Sequence, residues 1–203
     1  MASKSHEIRP AYYAMNLMTF SCLRARRSVA WTSSLVALLL TAVGLAAPAD
    51  FTVEAPAGGK PFKLSDAKGK YVALHFLLKT ECPFCLRYTR AVAKQAATMP
   101  DVVQVFLKPD SAAEIQAWTA SLGDDTGKNI PIYRDADAKL AREFAIPDGY
   151  KFHGQTVHFP ALVLLDPAGV EVFRYVGKDN SDRFSVDQLQ AKVAELKAGA
   201  AKP

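Results

Sequence analysis

Two cysteines separated by two residues are the strongest candidates for chemistry in this chain. Cys82 and Cys85 stand in the motif Cys-Pro-Phe-Cys, and the third cysteine, Cys22, lies in the N-terminal segment. A disulfide across so short a loop removes little chain entropy, and a disulfide scaffold would show four or more cysteines across the domain. The pair therefore favours a reactive dithiol over a structural bridge.

The chemistry that such a pair supports is thiol–disulfide exchange. A thiolate attacks a sulfur, and a second thiol then resolves the mixed disulfide. Pro83 suits the first position of a helix running to about Thr98, so Cys82 would precede that helix, where free N–H groups and the helix dipole lower a thiol pKa. We expect Cys82 to attack and Cys85, one turn further on, to resolve. Among the neighbouring charges, Lys79 and Arg87 would favour the thiolate and Glu81 would oppose it.

Elements that could position this motif follow from the apolar runs and caps. Tyr71–Leu78 and Val102–Leu107 predict buried strands, and Ser-x-x-Glu at 111–114 and Ser-x-x-Gln at 185–188 predict helix starts. Before Tyr71 we expect short strands within Phe51–Leu64, broken at Gly58-Gly59. The helix that starts at the 111–114 cap should run to about Leu122, followed by a strand at Ile130–Tyr133 and a short helix at Asp137–Phe144. An irregular loop is expected at Pro147–Phe159, and then strands Ala161–Leu165 and Val170–Val176 around a turn. This order predicts an α/β sandwich in which the four longer strands share one mixed sheet.

The N-terminal segment has the layout of a secretory signal peptide. Three arginines at positions 24, 26 and 27 precede an uncharged stretch, Ser28–Ala47, and then Ala47-Pro48-Ala49. We expect residues 1–49 to be removed and residues 50–203 to form an exported domain, in the periplasm or otherwise outside the cytoplasm. The uncharged stretch is also long enough to cross a bilayer, so an uncleaved membrane anchor is the alternative.

Charge excludes nucleic acid as an expected partner. Five of the 25 basic residues but only one of the 20 acidic residues precede position 50. The basic balance therefore belongs largely to the leader, whereas nucleic-acid binding requires a basic patch on the folded domain.

Four segments together resemble the thioredoxin superfamily over roughly Gly59 to Leu196. They are Lys60–Asp66 with Gly69-Lys70, the Cys82–Cys85 motif, Phe159–Asp166, and Phe173–Gly177. The chain is most similar to the exported thiol–disulfide oxidoreductases of the cytochrome-maturation type. It also resembles the related redoxin branch, which includes alkyl hydroperoxide reductase, thiol-specific antioxidant and peroxiredoxin proteins.

The resemblance implies a thioredoxin-like fold, with a mixed central sheet flanked by helices and an N-terminal β extension. It implies a thiol–disulfide oxidoreductase that needs no cofactor and exchanges disulfides with protein thiols and an upstream thiol donor or acceptor. The bond from Phe159 to Pro160 would be cis, with Phe159 offering a backbone edge to substrate. Pro83 and Phe84 would also contact substrate. The tryptophan that family members often carry before the first cysteine is replaced by Glu81.

Two other functions stay open. In a thiol peroxidase, a Pro-x3-Thr-x2-Cys motif would polarise the peroxide, but His75 and Lys79 occupy those places before Cys82. In a copper or zinc metallochaperone, His153 and His158 would complete a site with the cysteines. The separation of 67 residues exceeds that of a zinc finger, so no metal ligand is assigned. His75, inside an apolar run, is expected to be a hydrogen-bonded core residue.

Overall fold

A computed structural model describes residues 50–56, 59–79, 82–123, 130–152 and 155–200. The expected signal peptide, Glu81 and His153 lie outside these residues. Within them, no helix is both long and apolar enough to cross a membrane.

A five-stranded mixed sheet forms the centre of the described domain. Its strands are β3 (Tyr71–Phe76), β4 (Val102–Lys108), β5 (Ile132–Arg134), β8 (Ala161–Leu165) and β9 (Glu171–Val176). They lie in the order β5-β4-β3-β8-β9. Strands β3, β4 and β5 run parallel to one another, whereas β8 pairs antiparallel with both β3 and β9. The four longer strands share one sheet, as predicted.

Helices cover both faces of this sheet, which explains why β3 is apolar on both sides. They are α1 (Pro83–Gln95), α2 (Ala112–Ser121), α3 (Lys139–Glu143) and α4 (Val186–Ala200). On one face the core contains residues of α1, α2 and α4, and on the other it contains residues of α3 and the N-terminal strands. Those strands, β1 (Thr52–Val53) and β2 (Phe62–Lys63), pair antiparallel as the expected β extension.

Both predicted helix caps are confirmed. The Ser111 hydroxyl accepts from the Glu114 N–H, and the Glu114 carboxylate accepts from the Ser111 N–H. Ser185 and Gln188 make the same reciprocal pair at the start of α4. These local signals fix where the two helices begin.

The expected irregular loop at 147–159 is wrong. Strands β6 (Asp148–Phe152) and β7 (Gln155–His158) form an antiparallel hairpin in which Tyr150 pairs with Val157. The segment combines residues that favour strands, such as Thr156 and Val157, with glycines and a proline that favour loops. Antiparallel pairing between its two halves makes this segment a hairpin and not a loop.

Candidate active site

Cys82 and Cys85 lie where β3 leads into α1. Cys82 is the N-cap of α1, and its Sγ accepts a hydrogen bond of 3.2 Å from the Cys85 N–H. Pro83 is the first helical residue, as its fixed φ and missing N–H favour. Both cysteines are free, and their sulfurs lie 2.6 Å apart. The motif is thus a dithiol at a helix N-terminus.

Accessibility distinguishes the two cysteines. Cys85 is completely buried, whereas Cys82 retains 9% of its accessible surface. Pro83 beside it is exposed, and Phe84 is half-buried. Cys82 is therefore the more accessible residue of the pair.

The backbone of Leu78 forms hydrogen bonds with two side chains of the site. Its N–H donates to the Cys85 Sγ at 3.4 Å, and its carbonyl accepts from the Lys108 Nζ at 2.6 Å. Lys108, the last residue of β4, is fully buried, pairs with Asp110 at 3.3 Å and lies 4.5 Å from the Trp118 ring centroid. A buried positive charge is thus fixed close to Cys85.

A second cation reaches the dithiol from the far end of the chain. The Arg183 Nη2 lies 3.2 Å from the Cys85 Sγ and 3.6 Å from the Cys82 Sγ. Arg183 lies in the segment 177–184 between β9 and α4, which we call the strap. The Asp182 carboxylate holds the strap by accepting from the Tyr175 hydroxyl at 2.6 Å and from the Lys178 N–H at 2.9 Å.

A close approach of backbone fixes the base of the strap. Gly177 donates its N–H to the Pro160 carbonyl. A Cβ at this position would lie 2.5 Å from the Asp182 carbonyl oxygen and 2.9 Å from the Pro160 Cγ. Only glycine fits here without displacement.

These contacts make the two thiols titrate as a pair. Burial alone would raise the pKa of Cys85, but the hydrogen bond with Cys82 and the charges of Arg183 and Lys108 lower it to about 6. The pKa of Cys82 is raised, because its hydrogen bond with Cys85, burial and the charge on Cys85 all favour its protonated form. The first proton leaves readily and the second is retained. We expected the lowered pKa on Cys82, and the structure instead lowers that of Cys85.

The cations that we expected to favour the thiolate are not the closest ones. The Arg87 guanidinium lies 4.9 Å from the Phe84 ring centroid, beside the motif, and Lys79 is half-buried. Within the described part of the chain, neither Arg87 nor Lys79 contacts a sulfur, whereas Arg183 contacts both. Glu81, the expected opposing charge, lies outside the described residues.

The expected cis bond before Pro160 is wrong, since no cis peptide bond is present in the described chain. The Phe159 N–H donates to the Pro147 carbonyl, and the Pro160 carbonyl accepts from Gly177. The chain therefore passes from the β6–β7 hairpin into β8 in an extended form, which a trans bond permits.

Pro160 nevertheless lies beside the site, while Phe159 packs elsewhere. Pro160 lines a small cavity together with Tyr88 and Arg183. A Cβ on Gly149 would overlap the Phe159 ring, and the Phe159 carbonyl accepts from the His158 Nδ1 at 2.7 Å. With both backbone groups of Phe159 engaged, the substrate contacts expected of Phe159 and Pro160 stay predictions, as do those of Pro83 and Phe84.

His75 is a hydrogen-bonded core residue, as expected. Its Nε2 donates to the Gln104 Oε1 at 2.7 Å, so its Nδ1 accepts from the Tyr88 hydroxyl at 2.9 Å. The ring is fully buried and stacks on Phe106 with centroids 4.4 Å apart. Burial lowers the pKa of His75 to about 4. It offers no donor to a peroxide at Cys82.

The described residues also provide no cluster of three or more metal-ligating side chains. His158 is buried and bonded to Phe159. Its partner in the metallochaperone hypothesis, His153, lies outside the described part of the chain.

Sequence reasoning missed Lys108 and Arg183. Lys108 ends a buried strand parallel to β3, and the carboxyl ends of parallel strands meet at one edge of a sheet. That signal could have identified it. Arg183 is 98 residues from Cys85, and no local pattern marks it.

Fold and site define a class of protein. A mixed sheet flanked by helices, with a free dithiol at the N-terminus of the helix that follows the central strand, is a thioredoxin-fold, thiol-based oxidoreductase. The AhpC/TSA family model matches residues 43–172, more than half of the chain. The chain belongs to the AhpC/TSA family, within the thioredoxin superfamily. No curated protein sequence matches it significantly.

Solved structures share this fold. The reduced 2-Cys peroxiredoxin of Plasmodium vivax is 18% identical with a TM-score of 0.63, over 76% of this chain and 96% of its own. A secreted disulfide oxidoreductase of Mycobacterium tuberculosis, homologous to the DsbE of E. coli, is 23% identical with a TM-score of 0.52, over 71% and 95%. The exposed lipoprotein thioredoxin of Streptococcus pneumoniae is 26% identical with a TM-score of 0.53, over 72% and 99%.

Proposed function

We propose that this protein is an extracytoplasmic thiol–disulfide oxidoreductase that exchanges disulfides with protein thiols through Cys82 and Cys85. One observation carries the proposal: two free sulfurs lie 2.6 Å apart at a helix N-terminus, where Cys82 retains a small accessible surface and Cys85 retains none. This arrangement supplies a reachable nucleophile and a resolving thiol in immediate contact. No cofactor enters the chemistry.

The exchange proceeds in two steps. The Cys82 sulfur attacks one sulfur of a client disulfide, so that the client S–S bond breaks, a mixed disulfide forms and one client thiolate leaves. The proton of Cys82 passes to the neighbouring Cys85 thiolate, which lies 2.6 Å away. Cys85 gives this proton to a client thiolate, attacks Cys82, releases the second client thiolate and closes the enzyme disulfide. Two electrons and one proton have moved to the client, and an upstream thiol donor restores the dithiol.

The same steps run in reverse when a client dithiol meets the oxidised pair. The redox potential of the pair relative to its surroundings sets the direction. Equilibration with glutathione buffers of defined ratio measures that potential.

Export is part of the proposal. The arginines, apolar stretch and Ala-Pro-Ala of residues 24–49 have the order of a secretory leader. The pneumococcal structure of this fold is that of an exposed lipoprotein thioredoxin, which supports the expectation of export. A dithiol in that location meets proteins whose disulfides persist.

Trapping of mixed disulfides tests the assigned roles. With oxidised glutathione, Cys85→Ser should accumulate a glutathione adduct on Cys82, because the nucleophile remains and the resolving thiol is gone. Cys82→Ser should stay unmodified, because Cys85 is buried. Mass spectrometry of intact variants measures both, with wild type as the control that closes its own disulfide. An adduct on Cys82→Ser but not on Cys85→Ser would reverse the roles.

A second candidate function is thiol peroxidase, which family membership and the peroxiredoxin neighbours favour. The absence of the Pro-x3-Thr-x2-Cys motif argues against it, since His75 is buried and already bonded. Oxidation of the reduced protein by hydrogen peroxide and by oxidised glutathione separates the two functions. We expect the disulfide to react faster, and a much faster reaction with peroxide would favour the peroxidase.

A further inference from the structure

Arg183 has capacity for a ligand beyond the two sulfurs. Its Nη2 contacts both sulfurs, and its Nη1 donates to the Asp182 carbonyl at 2.9 Å. Its Nε is buried and has no hydrogen-bond partner among the described residues. Arg183 as a whole is half-buried, so part of the residue is accessible to solvent.

Oxidation removes the anion that Arg183 faces in the reduced protein. The thiolate disappears when Cys82 and Cys85 join, and a mixed disulfide at Cys82 consumes it in the same way. A half-buried guanidinium left without an anion is unfavourable. A carboxylate satisfies it best, because the planar fork of arginine matches two carboxylate oxygens.

Other positive charges surround the exposed side of the motif. The Arg87 guanidinium lies against Phe84, Lys79 precedes the motif, and the N-terminus of α1 points at Cys82. Carboxylates in this neighbourhood are already engaged: that of Glu114 by Ser111, and that of Asp182 by Tyr175 and Lys178. The Asp179 carboxylate, whose pKa the charge of Arg183 helps to lower, accepts from the Ser181 N–H and hydroxyl. The described surroundings of the dithiol therefore favour an anionic substrate.

We infer that this site selects thiols and disulfides that carry a carboxylate close to the sulfur, and that Arg183 is the residue that binds this carboxylate. The inference rests on the proposed function, because it concerns the substrate of the same dithiol. Protein clients of this class present a cysteine next to an aspartate, a glutamate or the chain terminus. Before exchange the guanidinium pairs with the enzyme thiolate, and during exchange it pairs with the client carboxylate. Its positive charge therefore has an anionic partner at each stage.

Three small disulfides of similar length and different charge test the selection. They are 3,3′-dithiodipropionate, which is anionic, bis(2-hydroxyethyl) disulfide, which is neutral, and cystamine, which is cationic. The measurement is the second-order rate of oxidation of the reduced protein at low ionic strength. Each rate is divided by that of dithiothreitol with the same disulfide at high ionic strength, where charge effects on its thiolate are screened. This division corrects for differences in intrinsic reactivity. We expect the normalised rate with the anion to exceed that with the cation by about tenfold or more.

Variants assign the preference to Arg183. Arg183→Gln should reduce the anion-to-cation ratio by about fivefold or more. Arg183→Lys, which keeps the charge but loses the planar fork, should give a ratio between those of wild type and Arg183→Gln. Since a change in thiolate fraction slows all three reactions alike, the ratio isolates recognition of charge. Lys94→Gln is the matched control, because it removes one exposed charge at the opposite end of α1 and should leave the ratio unchanged. A cooperative urea unfolding transition like that of wild type shows that each variant is folded.

The outcomes separate this inference from the proposed function. Equal normalised rates in wild type, or an unchanged ratio in Arg183→Gln, overturn the carboxylate inference and leave the oxidoreductase intact. A reduced wild type that reacts with none of the three disulfides refutes the proposed function, and the inference with it.

Discussion

At the scale of single residues, the acidity of the dithiol depends on two basic side chains that are remote in sequence. Arg183 donates to both sulfurs, and Lys108 lies buried beneath Leu78. An opposite charge at such distances favours the thiolate. The helix N-terminus adds to this effect, but burial of Cys85 opposes it.

Removal of the Arg183 charge should therefore make the pair less acidic. In wild type the first thiolate forms with an apparent pKa of about 6, so alkylation by iodoacetamide should slow as the pH falls below that value. In Arg183→Gln we expect the apparent pKa to rise by about one unit. The pH dependence of alkylation, or thiolate absorbance at 240 nm, measures it.

Arg183→Lys is the appropriate control, because it keeps a charge on a chain of similar length. Its apparent pKa should stay closer to that of wild type. An unchanged value in Arg183→Gln would mean that Lys108 and the helix N-terminus suffice to stabilise the thiolate.

At the scale of elements, three of them meet at His75. The ring belongs to β3, accepts from Tyr88 of α1, donates to Gln104 of β4 and stacks on Phe106 of the same strand. These two hydrogen bonds use one protonated and one unprotonated ring nitrogen, so they fit a neutral imidazole and not an imidazolium. They therefore fix the active-site helix against the sheet only while His75 is uncharged.

Acid should weaken this junction. The pKa of His75 is lowered from about 6.5 in an unfolded chain to about 4 in the fold. Because the folded value is the lower one, the contribution to stability is complete above pH 6.5 and is lost as the pH falls towards 4. Linkage gives a loss of about 2 kcal/mol between pH 7 and pH 5. Urea unfolding at the two pH values measures it.

His75→Gln supplies the comparison, since an amide can bond to the same neighbours and does not titrate. It should be less stable than wild type at pH 7, but its unfolding free energy should fall less between pH 7 and pH 5. An equal fall in both proteins would assign the acid sensitivity to other groups.

The elements that sequence predicted correctly are those whose signals are local. Strand β3 is an apolar run interrupted only by His75, α1 begins at the proline that follows the Cys82 cap, and α2 and α4 open at reciprocal Ser–Glu and Ser–Gln caps. The placement of the dithiol at the helix start follows from those signals. Each depends on a few neighbouring residues, so the pattern alone suffices.

The features that sequence did not predict depend on contacts between distant segments. The β6–β7 hairpin arises from pairing between two segments with weak strand signals, and the bond before Pro160 is trans. Arg183 reaches the sulfurs only because β9 pairs with β8 and the strap folds back over Pro160. No spacing within the sequence encodes these contacts.

At the scale of the whole molecule, the matched family region and the folded domain do not end together. The AhpC/TSA match stops at residue 172, within β9. Helix α4 follows that end, yet Leu189 and Val193 are buried in the core beside α1. Arg183 also lies beyond the matched region. The C-terminal segment therefore completes both the core and the site.

The last prediction concerns the start of the mature protein. We propose that cleavage after Ala49 releases a domain that begins at Asp50. Asp50 already belongs to the fold: its carboxylate accepts from the Ser65 N–H at 3.0 Å and lies 3.5 Å from the Lys63 Nζ. A cut before it leaves these contacts and the whole described domain intact. N-terminal sequencing of the exported protein should give Asp-Phe-Thr-Val.

A large residue at one of the two small positions provides the control. Ala47→Arg should block the peptidase and leave a longer, membrane-bound form, because the apolar stretch Ser28–Ala46 would remain attached. The purified, uncleaved protein should still exchange disulfides, since Asp50 and the residues after it are unchanged. If wild type itself retains its N-terminal methionine in the membrane fraction, the leader is an anchor and the enzyme acts at the membrane surface.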